Sequence, residues 1–437
     1  MATKKTDGKN STTAKKITAK KAAPTKKHVV PPTPPPPVQR HYAEPKQVQI
    51  SVNYKYDDES TDYTPYAGTL QSVPAPRAGA SLVIKLEDIL GTDAVNKITA
   101  TGKIVFHSVG DTGADKQNRV ADEDNVAAMM AKDQKNAIDS ERPCFFYHLG
   151  DVVYEFGEAA GYYPQFYEPF CMYNAPIFAI PGNHDGMTYD PKMVSLQAFL
   201  ANFCTPTPVT APNAAGLLRS TMTQPGVYFT IDAPFVSIIG LYSNVSDKGP
   251  GVISSQGGKT PVVAADQKNF LIAELQRLKK LKAANGTAVI VALHHPPFYG
   301  QNMLAADKSL MNDIDDAFNK GGLWPDAILS GHAHLYERFA RKVNGIELPY
   351  IIAGCGGYNV SPTATPSNPN QLVPPGSDPA LQAYITTFGY LKIVASQGKL
   401  AIIFNSIDAA YGPAVDSILI DLKTHIVTTG KKGVDPL

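Results

Sequence analysis

The chain has 437 residues, of which 43% are hydrophobic, and its formal net charge at pH 7 is +1. This length and apolar content predict a globular protein of roughly two to three domains and exclude a fully disordered chain. The sequence has no apolar stretch of the ~18 residues that a transmembrane helix needs, and its first residues lack the apolar middle of a secretory signal. We therefore expect a cytoplasmic protein without a membrane span.

The first 45 residues are more basic than the rest of the chain. They contain ten Lys and Arg residues against two acidic ones, so the remaining chain is net acidic. Residues 1–30 are mainly Lys, Ala and Thr, and residues 31–37 are all Pro except one Thr. Such a segment buries too little apolar surface to fold, which predicts a disordered, basic and Pro-rich tail. Its role is open between solubilising the protein and weak contact with nucleic acid or another polyanion.

Residues 46–100 predict an accessory β-like segment, because short β-like runs at 48–54 and 81–84 alternate with Pro and Gly. From residue 101, apolar strands alternate with helical patterns, which predicts an α/β domain over residues 101–425 and a C-terminal tail at 426–437. The predicted strands are 103–109, 144–149, 176–180, 288–293 and 327–330, with β-rich sequence at 227–241, and the predicted helices are 122–137, 266–281 and 309–318.

Five of these strands end in loops that carry potential metal ligands. The loop residues are Asp111; Asp151 and Tyr154; Asn183, His184 and Asp185; His294 and His295; and His332 and His334. In open α/β sheets, ligands bind beyond the carboxyl ends of the strands, so these loops are expected to converge. Carboxylate, phenol, amide and imidazole donors are typical of open transition-metal sites. Their number suits two ions, and two-metal sites favour phosphoester hydrolysis.

The same loops resemble the signature of the calcineurin-like metallophosphoesterases. The matching blocks are Asp111-x-Gly113, Gly150-Asp151-x-x-Tyr154, Gly182-Asn183-His184-Asp185, Val291-x-x-His294 and Gly331-His332-x-His334. Two positions narrow the resemblance to the purple acid phosphatase branch. They are Gly113, where many other members have a metal-binding His, and Tyr154, a ferric-iron ligand in that branch. The same branch is also resembled by residues 331–338 and by the motif Gly354-Cys355-Gly356-Gly357. The resemblance implies a two-sheet β-sandwich core flanked by helices, and a metal-dependent phosphomonoester hydrolase.

The resemblance also implies a role for each loop residue. The implied metal ligands are Asp111, Tyr154 and His334 for Fe(III), Asn183, His294 and His332 for a second ion of Fe(II), Zn(II) or Mn(II), and Asp151 as the bridge. A metal-held hydroxide would attack phosphorus. His184 would orient the substrate or protonate the leaving alkoxide, with Asp185 as its hydrogen-bond partner. His295, next to a predicted ligand, is a further candidate for substrate contact.

The sequence departs from the family pattern shortly after His294. The stretch at 298–303 reads Phe-Tyr-Gly-Gln-Asn-Met and offers none of the substrate-binding histidines that purple acid phosphatases have there. Two alternatives therefore stay open. One is a calcineurin-like phosphodiesterase that acts on nucleotides or lipid head groups. The other, of a different class, is a polyanion-binding protein that acts through its basic tail.

The remaining chemistry-bearing residues have simpler interpretations. His107 is expected to be a core histidine and His148 a structural one. An aromatic cluster is expected to pack in the core: Tyr162, Tyr163, Phe166, Tyr167 and Phe170. The four cysteines form no Cys-x-x-Cys pair and are expected to be buried thiols: Cys144, Cys171, Cys204 and Cys355. The long polar loop at 361–380 is either a lid or disordered.

Overall fold

The computed structural model of the protein describes residues 71–114, 117–189, 192–243, 251–258, 263–300, 308–360 and 376–437. The predicted tail at 1–45 and the β-like run at 48–54 lie outside these residues, as does most of the loop at 361–380. Among the described residues, no helix has the length and apolar character that crossing a membrane requires.

Strands in the described residues form two sheets. In chain order they are β1 (Val83–Lys85), β2 (Lys103–Val109), β3 (Phe146–His148), β4 (Ile177–Ala179), β5 (Phe229–Ala233), β6 (Val236–Leu241), β7 (Ala288–Leu293), β8 (Ala327–Ser330), β9 (Tyr336–Val343), β10 (Ile346–Ala353), β11 (Ala380–Ile385), β12 (Gly389–Ser396), β13 (Lys399–Ser406), β14 (Asp416–Asp421) and β15 (Val427–Thr429). The larger sheet has the order β1-β5-β6-β7-β8-β10-β9-β11, and the smaller has the order β15-β14-β13-β12-β2-β3-β4.

Helices accompany both sheets. They are α1 (Leu86–Leu90), α2 (Thr92–Ala100), α3 (Gln117–Asn136), α4 (Asn183–Gly186), α5 (Gln197–Phe203), α6 (Asp266–Asn285) and α7 (Ser309–Gly321). The predicted two-sheet core flanked by helices is confirmed. Strands β7 and β8 have the bounds that the sequence predicts, because each is a short apolar run that ends at a polar residue.

Strand β7 shows how the core divides into two layers. Its six residues are all buried, and they alternate in direction. Ile290 lies in the apolar cluster between the sheets, which includes residues from both of them. Val289 and Val291 lie in a second cluster with Leu275 of α6 and Phe318 of α7. A strand that is covered on both faces reads as a continuous apolar run, which is why it was recognisable in the sequence.

The parallel strands place the starts of several loops along one edge of each sheet. In the smaller sheet, β2, β3 and β4 run parallel, and His148 of β3 pairs with Val109 of β2 and Ala179 of β4. In the larger sheet, β6, β7 and β8 also run parallel. The loops that follow β2, β3, β4, β7 and β8 therefore leave the sheets at their carboxyl ends, as the sequence predicts for a ligand site.

Both ends of the described chain differ from the sequence-based expectation. Residues 86–100 are helical rather than β-like, because Leu86, Ile89, Val95 and Ile98 pack against the core between the sheets. Strand β1 overlaps the predicted β-like run at 81–84; it pairs with β5 and forms an edge of the larger sheet. Within the predicted C-terminal tail at 426–437, β15 pairs with β14 and extends the smaller sheet, while residues 430–437 form no helix or strand.

The predicted packing role of the aromatic cluster is confirmed, and that of the cysteines is confirmed only in part. The cluster is buried, and its members are Tyr162, Tyr163, Phe166, Tyr167 and Phe170. Cys204 and Cys355 are buried, but Cys144 is half-buried and Cys171 is exposed. Cys171 lies in a short 3-10 helix over 169–172, in which Phe170 is the buried residue.

His107 and His148 are buried inside the smaller sheet, in the structural roles that the sequence predicts. The Nδ1 atom of His107 lies 3.2 Å from Tyr173 Oη. His148 Nε2 lies 2.9 Å from Thr112 Oγ1, and its Nδ1 accepts the Gly150 N–H at 3.1 Å. Burial, aided in His107 by the nearby charge of Lys392, lowers the pKa of His107 to about 3. Burial likewise lowers the pKa of His148 to about 3.

Because of these two histidines, we expect the free energy of unfolding to fall in acid. The unfolded chain binds a proton at each histidine near pH 6.5, whereas the folded protein does so only near pH 3. Each histidine's contribution to the free energy of unfolding is complete above pH 6.5. It is lost at about 1.4 kcal/mol per pH unit as the pH falls from 6.5 to about 3. We expect His107→Gln to flatten the dependence of unfolding free energy on pH between 6 and 4 by this amount. Urea titrations at several pH values measure it, and parallel curves for variant and wild type contradict it.

Candidate metal centre

The five loops bring their donor side chains together at one rim between the sheets. The side chains are Asp111, Asp151, Tyr154, Asn183, His294, His332 and His334. Most of them are buried, while the histidines at 332 and 334 are partly exposed to solvent. The structure therefore places every predicted metal ligand in one cluster, which divides into two groups that share one carboxylate.

The first group surrounds the Tyr154 hydroxyl. Tyr154 Oη lies 3.1 Å from Asp111 Oδ1 and 3.0 Å from Asp151 Oδ2, and its single proton can be donated to either carboxylate. His334 Nε2 lies 3.4 Å from Tyr154 Oη and 3.4 Å from Asp111 Oδ1. Phenol, carboxylate and imidazole atoms thus face a common point.

The second group surrounds the Asn183 side-chain oxygen. Asn183 Oδ1 lies 3.1 Å from His294 Nε2 and 3.0 Å from His332 Nδ1. His294 Nε2 is also 3.2 Å from Asp151 Oδ2. The same oxygen of Asp151 therefore faces Tyr154 in the first group and His294 in the second. Donor atoms of Asp151, His294 and His332 lie within 4.8 Å of one another.

The spacing of the donors fits metal coordination. Ligands bound at about 2.0–2.2 Å to one ion stand roughly 3 Å apart when they are adjacent, and the separations within both groups are 3.0–3.4 Å. Outer contacts also orient the donors. His294 Nδ1–H donates to the Leu149 carbonyl at 2.9 Å, which directs Nε2 into the cluster. The Asn183 amide nitrogen donates to Met187 Sδ at 3.6 Å, which directs the side-chain oxygen into the cluster.

The buried carboxylates give the cluster a preference for cations. Burial by itself lowers the pKa of His294, but the Asp151 and Asp111 carboxylates outweigh it and raise that pKa to about 9. Burial together with the same two carboxylates raises the pKa of Tyr154 well above its usual value. In the metal-free protein the phenol therefore stays protonated. A metal cation at this place would compensate the carboxylates and release both protons.

Three donor residues adopt a backbone conformation that non-glycine residues rarely occupy. The φ angles are 57° for Asp111, 54° for Asp151 and 67° for His332. Each such residue costs on the order of 1–3 kcal/mol, and residues of this kind concentrate at functional sites. A Cβ atom at Gly182 or Gly331 would overlap an Asp151 or Asp111 carboxylate oxygen, respectively. These glycines allow the loops to approach the carboxylates closely.

Gly113 is explained by the packing around Tyr154. A Cβ atom at this position would lie 2.7 Å from Gln165 Oε1 and 3.2 Å from Tyr154 Cδ2. Gln165 in turn accepts the Tyr154 N–H at 2.7 Å and donates to the Tyr154 carbonyl at 2.8 Å. A larger side chain at 113 would therefore displace Tyr154 from the cluster.

His184 lies at the edge of the cluster, beside Tyr154. The two ring centroids are 4.3 Å apart. The N–H group at His184 Nδ1 donates to the Glu155 carbonyl at 2.7 Å, which leaves Nε2 as the nitrogen that can exchange a proton with a substrate. The backbone N–H of His184 donates to Asp151 Oδ1 at 2.9 Å. The position of His184 is thus tied to the loop that carries Asp151 and Tyr154.

The predicted hydrogen bond between His184 and Asp185 is wrong. Within the described residues, the Asp185 carboxylate accepts backbone N–H groups instead: Gly182 at 2.8 Å, Val152 at 3.1 Å and Val153 at 3.3 Å. Asp185 is the third residue of the short helix α4, and acidic side chains at this position turn back to the helix N-terminus. Asp185 therefore joins two loops of the cluster and does not orient the His184 ring.

His295 lies beside the second group without belonging to it. Its ring centroid is 4.4 Å from that of His332 and 5.2 Å from that of His294. Ser243 Oγ accepts the His295 backbone N–H at 3.0 Å and lies 3.2 Å from His295 Nδ1. The serine hydroxyl is then free to donate to Nδ1, which places the ring proton on Nε2.

The sequence-based reasoning did not single out two further residues at the cluster. Tyr358 stacks on Tyr154 with ring centroids 3.5 Å apart, and its hydroxyl donates to Glu155 Oε1 at 2.9 Å. Tyr358 directly follows the Gly-Cys-Gly-Gly motif, and Glu155 directly follows Tyr154. Adjacency to matched motifs was therefore the only sequence signal for either residue.

Comparison with known proteins identifies a family for this chain. The family model for calcineurin-like phosphoesterases matches residues 104–336, slightly more than half of the chain. A search of curated proteins found no match.

The chain is similar to several solved structures. PhoD has a TM-score of 0.50 and 12% identity, with 83% of this chain and 74% of PhoD covered. Purple acid phosphatase PPD1 from yellow lupin (Lupinus luteus) seeds has a TM-score of 0.49 and 15% identity, with 73% of this chain covered. GAP50, the anchor in the inner membrane complex of Plasmodium, has a TM-score of 0.48 and 13% identity, with 76% of this chain and 90% of GAP50 covered. The chain spans 54% of the lupin phosphatase. At 12% identity, the likeness to PhoD concerns the fold alone.

Proposed function

The chain belongs to the calcineurin-like phosphoesterase family, and we propose that it is a phosphomonoesterase of the purple acid phosphatase type with an iron-containing dinuclear centre. The family makes the protein a metal-dependent phosphoester hydrolase. The choice of phosphomonoester, of iron and of individual ligands is our proposal, and it rests on the donor cluster.

The proposed ligands follow the two donor groups. The first group, for Fe(III), is Asp111, Tyr154 and His334; the second, for Fe(II), Zn(II) or Mn(II), is Asn183, His294 and His332; Asp151 joins both. A phenol and carboxylates suit the harder trivalent ion, whereas the group with two imidazoles suits a divalent transition metal. The observation that carries the proposal is the position of Asp151 Oδ2, which lies 3.0 Å from Tyr154 Oη and 3.2 Å from His294 Nε2.

In the proposed mechanism, the protein side chains orient the ester and handle one proton. The two ions, when bound, supply an activated water and neutralise charge on the phosphoryl oxygens. His184 donates the proton on Nε2 to the leaving alkoxide, while the Glu155 carbonyl holds Nδ1. His295, whose Nδ1 faces Ser243, offers Nε2–H to a phosphoryl oxygen. Asp185 keeps the loops of Asp151 and His184 in register through backbone hydrogen bonds.

Metal analysis with a visible absorption spectrum tests the metal assignment. We expect about two metal ions per chain, including iron, and a broad tyrosinate-to-Fe(III) band, because Tyr154 is the phenol among the proposed ligands. Tyr154→Phe should remove this band. Tyr162→Phe is the matched control, since Tyr162 is equally buried and, among the described residues, its hydroxyl has no hydrogen-bond partner. It should keep the band.

Three outcomes separate this proposal from its competitors. Two metals without the band leave the family assignment and exclude the iron–tyrosinate centre. No metal after reconstitution contradicts a catalytic site altogether. For the substrate, p-nitrophenyl phosphate should react with a higher kcat/KM than bis(p-nitrophenyl) phosphate, and the reverse order would favour a phosphodiesterase.

A further inference from the structure

Tyr358 reaches the cluster because the segment before it runs directly against the Asp111 loop. The N–H of Gly356 donates to the Gly110 carbonyl at 3.1 Å, and the N–H of Tyr358 donates to the Asp111 carbonyl at 3.0 Å. A Cβ atom at Gly356 would lie 2.6 Å from Thr112 Cγ2. Glycine at this position therefore permits the close approach that brings the Tyr358 ring over Tyr154.

The two tyrosine rings lie almost face to face. Their centroids are 3.5 Å apart and their planes differ by 3°. Aromatic pairs prefer offset or edge-to-face arrangements, so a parallel pair at this distance needs other contacts to hold it. The hydrogen bond from Tyr358 Oη to Glu155 Oε1, at 2.9 Å, holds one end of the ring, and the backbone contact to Asp111 holds the other.

Glu155 connects this stacked pair to His184. Its backbone carbonyl accepts the His184 Nδ1–H at 2.7 Å, and its side-chain Oε2 lies 3.8 Å from the same nitrogen. Because Tyr358 binds the other carboxylate oxygen, the Glu155 side chain is held with one oxygen towards each ring. This contact replaces the one that the sequence predicted between His184 and Asp185.

We propose that Tyr358 and Glu155 form a clamp that positions His184 and covers Tyr154. Neither residue touches the substrate in this proposal, so both are positioning residues. The stacked ring keeps water from the Tyr154 phenol, which is 1% exposed. The hydrogen bond keeps the Glu155 carboxylate beside His184 Nδ1, so that Nε2 stays directed at the leaving group. The clamp rests on the proposed roles of Tyr154 and His184.

Two substitutions of Tyr358 separate the two functions of the clamp. Tyr358→Phe keeps the stacked ring and removes the hydrogen bond to Glu155. We expect it to keep the absorption maximum and to lower kcat about tenfold on an alkyl ester such as glycerol 2-phosphate. On p-nitrophenyl phosphate, whose leaving group needs no proton, we expect little change. Glu155→Gln should give the same pattern, and Tyr162→Phe should behave as wild type on both esters.

Tyr358→Leu removes the ring as well. Water should then reach the Tyr154 phenolate and hydrogen-bond to it, which lowers the energy of its donor orbital. We therefore expect the absorption maximum to move to shorter wavelength, in addition to the loss on the alkyl ester. A change of protein stability alone would leave both the band position and the ratio of the two kcat values unchanged.

The outcomes that overturn the clamp differ from those that overturn the proposed function. An unchanged ratio of alkyl to aryl turnover in both Tyr358→Phe and Glu155→Gln contradicts the hydrogen-bond part. An unchanged absorption maximum in Tyr358→Leu contradicts the covering part. A wild-type protein that hydrolyses esters but lacks the band contradicts the iron assignment, and the turnover ratio, which needs no chromophore, then decides the clamp.

Discussion

Replacement of Asp151 by Asn is expected to lower kcat by about a thousandfold or more and to reduce the bound metal from the proposed two ions per chain to one or none. The reason is that Asp151 Oδ2 faces both donor groups, at 3.0 Å from Tyr154 Oη and 3.2 Å from His294 Nε2. The variant keeps the side-chain shape but loses the negative charge that a pair of cations requires. Catalysis by two ions depends on both being in place.

Metal content by elemental analysis and kcat on p-nitrophenyl phosphate measure this effect. Asp139→Asn makes the same change of charge at an exposed carboxylate that contacts only Arg142 among the described residues, and it should retain both metals and full turnover. The thermal unfolding of the two variants, compared without metal, separates a local effect from a loss of folding. An Asp151→Asn protein with two bound metals and kcat within tenfold of wild type would refute the bridging role.

The sequence allowed the cluster to be located because each donor follows a recognisable strand. In β7 and β8, the apolar run ends directly before the loop that carries His294 or His332. The carboxyl ends of parallel strands share one edge of a sheet, so adjacency in space followed from chain order. The division of the donors into two groups required coordinates, because it depends on side-chain direction.

Contacts across long stretches of sequence explain what was missed at the cluster. The hydrogen bond between Tyr358 and Glu155 joins residues 203 positions apart. Nothing in the residue type of either one indicates this partner. The error at Asp185 has a local cause: being next to His184 in sequence does not place the two side chains together at the start of a helix, where the carboxylate turns back to free N–H groups.

Both ends of the described fold are built from short elements. Strands β1 and β15 have three residues each, which is too few for a periodic pattern. Strand β1 pairs with β5, which comes from a distant part of the chain, whereas β15 pairs with β14, the strand that directly precedes it. Pairing with a neighbouring strand therefore decided these segments, whereas composition alone suggested an accessory β-like segment and a tail.

Replacement of His184 by Asn is expected to lower kcat by roughly a hundredfold to a thousandfold on alkyl phosphates and by less than about tenfold on p-nitrophenyl phosphate. The Asn side-chain N–H takes the place of His184 Nδ1, so the hydrogen bond to the Glu155 carbonyl, now 2.7 Å long, is preserved. The variant removes the proton donor at Nε2. General acid catalysis contributes factors of this size only where the leaving group needs a proton.

The dependence of kcat on the leaving group distinguishes the two roles that His184 was predicted to have. If His184 donates the proton, His184→Asn should steepen the fall of kcat as the leaving alcohol becomes less acidic, while metal content stays at the wild-type value. His184→Gln places an amide near the Nε2 position, so it can donate a hydrogen bond but no proton, and it should show the same steep dependence. Equal losses on all esters in His184→Asn, with recovery in His184→Gln, would instead mean that His184 orients the phosphoryl group through hydrogen bonding.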